Sequence, residues 1–312
     1  MKIVFWGTRG SLPSPLAAED VQAKINAAIM RVRDEDIKSP DARQKFLSSL
    51  PQSIYGTTGG NTPCVQIISK AGGQIILDAG TGIRVLAEKN PLAPNKKYTI
   101  LLSHLHWDHI QGFPFFSPIF NPEASFDIYS PFPNMAESLA RQMRPPFFPV
   151  EFSAVKQRMN FHVISPGVEF EIEGVKVNCC KMCHPGASYS YSICEGAKKF
   201  VYGTDMELYL ESHFHDPLVK TVFKNADAAV LDSQYTLGEA VDKIKWGHSP
   251  FAYAVDFAAE MGVKDLYLFH HDPSHSDKTL AAILRSARQY AKFIARKNVN
   301  VNLAVERMEI EL

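Results

Sequence analysis

The stretch Thr99-Ile100-Leu101-Leu102-Ser103-His104-Leu105-His106-Trp107-Asp108-His109 decides how the rest of the chain is interpreted. Its apolar beginning predicts a short buried strand. Three histidines and one aspartate then follow within six residues. Alternate side chains of an extended chain point the same way, so His104 and His106 can bind one cation together. Asp108 and His109 follow where the chain turns, which aims them at a second cation nearby.

Imidazole nitrogens and carboxylate oxygens suit zinc, and also manganese or iron. The pattern His-x-His-x-Asp-His after a hydrophobic strand resembles the signature of the metallo-β-lactamase-fold hydrolases. This resemblance implies an α+β fold, a four-layer αββα sandwich in which two β-sheets face each other with helices outside. The alternative is a histidine-rich surface loop, but such a loop would not need an apolar strand leading into it.

Length and composition agree with one large domain spanning residues 1–312, because 46% of the residues are hydrophobic. The 33 basic and 33 acidic residues cancel, whereas a general nucleic-acid binder normally carries a basic excess. No apolar run reaches membrane-spanning length, so we expect no membrane partner. The N-terminus predicts a short strand, not a signal peptide, and this indicates a cytoplasmic protein. Five cysteines, an odd number, argue against a disulfide framework.

Residues 13–52 interrupt the strand pattern and predict an N-terminal helical insertion. The segment from Ala17 to Val32 has helical composition, and Ser39-Pro40 predicts the start of a second helix from Asp41 to Leu50. The insertion forms either a lid or a homodimer contact, and the sequence leaves both open.

Further ligands follow from the resemblance, which places them at the ends of later strands. It implies seven ligands for two divalent ions: His104, His106 and His184 for the first, Asp108, His109 and His270 for the second, and Asp205 as the bridge between them. His271 is the alternative to His270 as the last ligand. Asp78, after the strand Gln74–Leu77, could be a ligand too. The resemblance instead implies that Asp78 braces the metal-binding loop by hydrogen bonds.

Three features favour a phosphodiester among the substrates that such a site hydrolyses. Gly247-His248-Ser249 precedes a helix predicted from Phe251 to Met261, with Ser249 as its N-cap. This element resembles the Gly-His-Ser/Thr motif of ribonuclease Z and related phosphodiesterases, in which the histidine contacts the scissile phosphate. The turn Gly7-Thr8-Arg9-Gly10-Ser11 recurs in that branch, and Asp205 matches its bridging carboxylate.

We therefore predict a metal-dependent phosphodiesterase that acts on a small phosphodiester such as a cyclic nucleotide. Two divalent ions, zinc first and manganese or iron as alternatives, lower the pKa of a shared water and give a bridging hydroxide. Asp108, Asp205 and His248 are the expected catalytic residues. A large nucleic-acid substrate is not expected, because the sequence lacks a long basic arm. Two alternatives stay open: a lactone, thioester or β-lactam hydrolase, and a di-iron protein that binds oxygen or transfers electrons.

Overall fold

The computed structural model describes residues 1–89, 96–208, 214–293 and 299–312. The strands in these ranges are β1 Lys2–Gly7, β2 Cys64–Ile68, β3 Gln74–Leu77, β4 Lys97–Leu101, β5 Ser125–Ser130, β6 Met159–Val163, β7 Phe170–Ile172, β8 Val175–Met182, β9 Ser188–Glu195, β10 Lys198–Gly203, β11 Ala228–Asp232, β12 Asp265–Phe269, β13 Asn300–Leu303 and β14 Glu309–Glu311.

The helices in the same ranges are α1 Ala18–Ile29, α2 Pro40–Ser49, α3 Gln52–Tyr55, α4 Gly82–Lys89, α5 Trp107–Ile110, α6 Met135–Gln142, α7 Ser153–Lys156, α8 Pro217–Phe223, α9 Leu237–Ala240, α10 Phe251–Glu260 and α11 Asp277–Phe293. Short 3-10 helices lie at Asp34–Ile37, Phe113–Phe115, Ser117–Phe120 and Val241–Lys243. Within the described ranges, none of the helices combines the length and the apolar character that a bilayer span requires.

The strands form two mixed, seven-stranded sheets. The strand order is β14-β1-β2-β3-β4-β5-β6 in the first sheet and β13-β12-β11-β10-β9-β8-β7 in the second. Strands β3 to β6 are parallel to one another, and so are strands β10 to β13. Parallel strands carry their carboxyl ends at the same edge, so each sheet collects the loops after its parallel strands along one edge.

Three hydrophobic clusters separate four layers. Along β3, Ile75 and Leu77 pack between the two sheets, whereas Ile76 packs on the outer side with Ile83 of α4. Successive strand residues point to opposite faces, which is why one strand serves both layers. The outer face of the second sheet packs against α10 and α11 through a third cluster. The predicted αββα sandwich is therefore confirmed.

Most strands were predicted within a few residues of their observed bounds. Two strands, β5 and β14, and five helices, α3, α5, α7, α8 and α9, were not predicted. The sequence of β5, Ser-Phe-Asp-Ile-Tyr-Ser, alternates polar and apolar residues and was the available signal. The helix predicted from Lys278 to Arg296 is observed as Asp277–Phe293, and residues 294–298 lie outside the described residues.

The helix after His248 starts at Phe251 as predicted, but its predicted N-cap is wrong by one residue. The N-cap of α10 is Pro250 and not Ser249. The hydroxyl of Ser249 is fully buried and donates to the carbonyl of Met206 at 2.7 Å, while it accepts the Leu208 N–H at 3.0 Å. These two backbone groups lie in the loop after β10, so the tertiary contact takes the place of the cap.

The segment between β1 and β2 contains α1 and α2, where the sequence predicted helices, and the single turn α3, which was not predicted. Neither α1 nor α2, both described throughout, buries a residue completely. One side chain of α1 attaches it to the rest: the Lys24 ammonium lies 2.7 Å from a carboxylate oxygen of Asp277, at the start of α11. It also donates to the carbonyls of Ser53 and Gly56. Asp277 in turn accepts the Thr58 N–H at 2.7 Å.

Replacing Asp277 by Asn should lower the free energy of unfolding by about 1–3 kcal/mol at neutral pH, because a buried, charged acceptor is lost. Burial alone would raise the pKa of Asp277, but Lys24 and Thr58 hold that pKa below its usual value. The carboxylate therefore stabilises the fold above its unfolded-state pKa of about 3.9, and this contribution is lost as the pH falls through the lower folded pKa.

Urea unfolding of wild type and Asp277→Asn from neutral pH down to about pH 3 measures this difference. We expect it to be constant near neutrality and to shrink below about pH 4. The exposed Asp41, at the start of α2, supplies a matched control, Asp41→Asn. A difference between wild type and Asp277→Asn that does not change with pH would contradict the argument.

Candidate metal centre

The seven predicted ligands all follow strand ends, and the structure brings them together. They come from the loops after β4, β8, β10 and β12 and from the short helix α5, so both sheets contribute. The ligand atoms form two overlapping groups of four: His104, His106, His184 and Asp205 in the first, and Asp108, His109, His270 and Asp205 in the second.

In the first group, the side-chain nitrogens and one carboxylate oxygen surround a common point. His184 Nε2 lies 3.1 Å from His106 Nδ1. Asp205 Oδ2 lies 3.5 Å from His104 Nε2 and 3.7 Å from His184 Nε2. Ligands at about 2.0–2.1 Å from a tetrahedral zinc ion are separated by about 3.3–3.4 Å. The observed separations match that geometry.

The second group is slightly tighter. His109 Nε2 lies 3.0 Å from Asp205 Oδ1 and 3.3 Å from Asp108 Oδ2. His270 Nε2 lies 3.1 Å from Asp108 Oδ2 and 3.2 Å from Asp205 Oδ1. The two oxygens of Asp205 therefore face different groups, which is the arrangement of a carboxylate between two cations.

The charges around Asp205 keep it ionised. Burial alone would raise the pKa of Asp205, but the facing rings of His109, His270 and His104 hold that pKa well below its usual range. Burial lowers the pKa of His184 to about 4, so this imidazole is neutral. Burial alone would lower the pKa of His109, but Asp205, Asp108 and Asp78 raise it well above its usual value. Metal binds the neutral imidazole, so His109 would release a proton when a cation binds.

The second ring nitrogens show how the imidazoles are oriented. His184 Nδ1 donates to the carbonyl of Gly247 at 2.8 Å, and His109 Nδ1 donates to Asp78 Oδ2 at 2.7 Å. In each case Nε2 is left for the centre, as in metal-binding histidines. His104 Nε2 is buried and has no hydrogen-bond partner among the described residues. A divalent cation would satisfy this atom, so the residues fit the metal that the motif predicts.

The N-terminal turn contacts the second group directly. The backbone N–H of Ser11 donates to Asp108 Oδ2 at 2.8 Å. Ser11 has a φ of 61°, a left-handed conformation that a non-glycine residue adopts only when its surroundings hold it there. A Cβ on Gly10 would lie 2.4 Å from His270 Nδ1, so only glycine allows this close approach.

Asp78 lies outside both groups and binds the loop that carries them. Its carboxylate accepts the backbone N–H and the hydroxyl of Ser103, both at 2.7 Å. It also accepts the Tyr202 hydroxyl from the second sheet at 2.8 Å and the His109 Nδ1–H. This bracing role is the one that the resemblance implied.

His248 adjoins the second group. Its Nδ1 donates to Asp232 Oδ2 at 2.7 Å, and its ring stacks on that of His270 with centroids 4.9 Å apart. Burial alone would lower the pKa of His248, but Asp232 raises it to about 9. The same Asp232 accepts the Ser249 N–H at 3.1 Å, so it positions the whole turn.

The adjacent histidines after β12 have separate roles. His270 joins the second group, whereas His271 Nε2 donates to the carbonyl of Ala304 at 2.9 Å, away from the centre. The sequence analysis did not identify Asp232 as a site residue. Asp232 is the last residue of β11, just as Asp78 and Asp205 lie shortly after the ends of β3 and β10. That shared position was the signal for Asp232.

Replacing Asp78 by Asn should weaken zinc binding about 10–100-fold. In the variant, the NH2 group of Asn would face hydrogen-bond donors that the Asp78 carboxylate accepts in the wild-type protein. A competition titration with a chromogenic chelator measures the affinity. The matched control is Asp265→Asn, at the opposite end of the strand that leads to His270. Unchanged zinc affinity in a folded Asp78→Asn protein would refute the bracing role.

Comparisons with known proteins agree with this geometry. The family profile described as "Beta-lactamase superfamily domain" matches residues 74–271. A ribonuclease Z from Metallosphaera sedula is 22% identical, with 74% of this chain and 91% of the relative covered.

Two solved structures share the fold. The metallo-β-lactamase fold protein YhfI from Bacillus subtilis has a TM-score of 0.65 and 18% identity, covering 100% of this chain and 98% of that one. Zn²⁺-bound PqqB from Methylobacterium extorquens has a TM-score of 0.65 and 15% identity, covering 100% of both chains. The chain therefore belongs to the beta-lactamase superfamily, and the predicted membership in the metallo-β-lactamase-fold hydrolases is confirmed.

Proposed function

We propose that this chain is a phosphodiesterase that depends on two divalent metal ions and acts on a small phosphodiester such as a cyclic nucleotide. The observation that carries the proposal is the His248–Asp232 pair beside the second group of ligands. A matched relative described as ribonuclease Z supports a phosphodiester as the substrate. A lactone or a thioester has no phosphate, so its hydrolysis does not need a histidine that binds one.

The two groups of residues would hold the two ions, with Asp205 between them. Zinc is our first choice, because the ligand separations suit tetrahedral coordination and PqqB, a structural neighbour, was solved with zinc. Two bound divalent ions would lower the pKa of a water molecule towards neutrality and neutralise phosphate charge.

His248 would act on the leaving group. Because its Nδ1 donates to Asp232, its Nε2 is available to the substrate. A protonated His248 can donate that proton to the departing oxygen, and Asp232 stabilises the imidazolium until then. Asp108 is held by Ser11 and so keeps its oxygen fixed during the reaction. Fixed charges of this kind stabilise a transition state without reorganising.

The small size of the substrate rests on charge. A folded RNA is bound mainly through its phosphates, by an excess of Lys and Arg that this chain lacks. The relative named ribonuclease Z keeps an RNA substrate as the alternative. A cytoplasmic location belongs to the proposal as well, and residues 13–52 form either a lid or a homodimer contact.

Replacing His248 by Ala should lower kcat for a cyclic nucleotide about 10²–10⁴-fold, the range of general acid catalysis, because the departing ribose oxygen needs a proton. The kcat for bis-para-nitrophenyl phosphate should fall less, because para-nitrophenolate is a weak base that departs without a proton. The metal content should stay unchanged, because His248 lies outside both groups of four ligands. Kinetics with metal-reconstituted protein measure the effect, and His215→Ala, at an exposed histidine, is the control. Activity confined to a lactone or a thioester would instead support a hydrolase of those esters.

Removing the metal with a chelator should abolish diester hydrolysis, and adding zinc or manganese should restore it, because the site is proposed to need the charge of both ions. Elemental analysis and an absorption spectrum of the purified protein accompany the assay. Iron with charge-transfer bands, together with no hydrolysis after reconstitution, would favour the di-iron oxygen-binding or redox alternative.

A further inference from the structure

A cavity of about 410 Å³ opens beside His248, outside the two ligand groups. We propose that it is a subsite for a planar heteroaromatic group, such as a nucleobase, that is carried by the substrate's phosphate. This inference rests on the proposed function and names the substrate class of that site. Ligand cavities typically measure about 300–1,000 Å³, so this one is large enough for a base.

The walls of the cavity expose apolar side chains that a flat ring could cover. Leu237 of α9, Val241 of the 3-10 helix after it and Ile244, which follows that helix, have exposed fractions of 48%, 67% and 61%. Tyr253 of α10 lines the cavity as well, with 39% of its surface exposed. Aromatic side chains bind bases of any type, because every base has a π-face.

The cavity also contains polar groups that distinguish a base from an aliphatic chain. Glu207 is buried, and its two oxygens accept the N–H groups of Lys245 and Gly247. A carboxylate has about four acceptor positions, so each oxygen can accept one more donor. Lys243 Nζ lies over the Tyr235 ring and 3.6 Å from Asp272 Oδ2. A nucleobase can pair with both charged groups, whereas a fatty chain would desolvate them without compensation.

The position of His248 connects the cavity to the chemistry. His248 lines the cavity and also stacks on His270 of the second ligand group. Its Nδ1 is occupied by Asp232, which leaves Nε2 for an ester oxygen. Because His248 lines the cavity, the proposal places a substituent attached through that oxygen in the cavity.

Direct binding tests the subsite. Isothermal titration of the zinc-loaded protein with adenosine 5′-monophosphate and with ribose 5-phosphate compares ligands that differ in the base alone. We expect adenosine 5′-monophosphate to bind at least about tenfold more tightly, as stacking on an aromatic ring allows. Tyr253→Ala and Val241→Asn should each reduce this preference at least about threefold, and Tyr253→Phe should preserve it because the ring remains.

The control variant is Val168→Asn, since Val168 has 59% of its surface exposed and does not line the cavity. Equal binding of the two ligands to the wild-type protein would overturn the subsite, as would an undiminished preference in Tyr253→Ala and Val241→Asn. A parallel assay with bis-para-nitrophenyl phosphate separates the two proposals. If the protein hydrolyses the diester but binds the two ligands equally, the subsite is overturned and the phosphodiesterase is not. If it does not hydrolyse the diester, the phosphodiesterase is overturned, and the ratio of the two binding constants still decides the subsite.

Discussion

The candidate metal centre depends on the hydrogen bonds that the buried carboxylate of Asp78 accepts. Asp78 follows β3 of the first sheet, accepts two hydrogen bonds from Ser103 before the histidine motif, and accepts the Tyr202 hydroxyl from the second sheet. It also orients His109. A buried carboxylate is costly unless its oxygens are hydrogen-bonded, so these donors must assemble together. The docking of the two sheets and the orientation of a predicted metal ligand therefore depend on the same group.

The fold brings the chemistry together because parallel strands end at a common edge. Asp205 follows β10, Asp232 ends β11 and His270 follows β12, three neighbouring strands of the second sheet. The histidine motif follows β4 in the first sheet and faces them. Asp205 and Asp232 then have different roles, since one lies between the two ligand groups while the other holds His248. The cavity beside His248, which is the proposed subsite for a base, opens at this same edge.

Local patterns predicted most of the strands and the histidine motif, the resemblance implied the sandwich and the remaining ligands, and the misses have physical causes. Apolar runs that end in turn residues identify strands, because a buried strand needs such a run. Ser249 met every local requirement for an N-cap, yet Met206 and Leu208 from a distant loop took its hydroxyl. Asp232 went unassigned because its partner His248 lies 16 residues away, beyond α9 and the 3-10 helix that follows it.

The sequence by itself determined the spacing of the histidine motif, the strands that lead into the centre and, through the resemblance, the expected fold. The tertiary structure decided between His270 and His271, which follow the same strand and share the same chemistry. His270 has a φ of 59° and a ring in the second ligand group, whereas His271 pairs with Ala304. Neighbouring side chains point in different directions, and only the packing of the second sheet specifies which one meets the motif from the first.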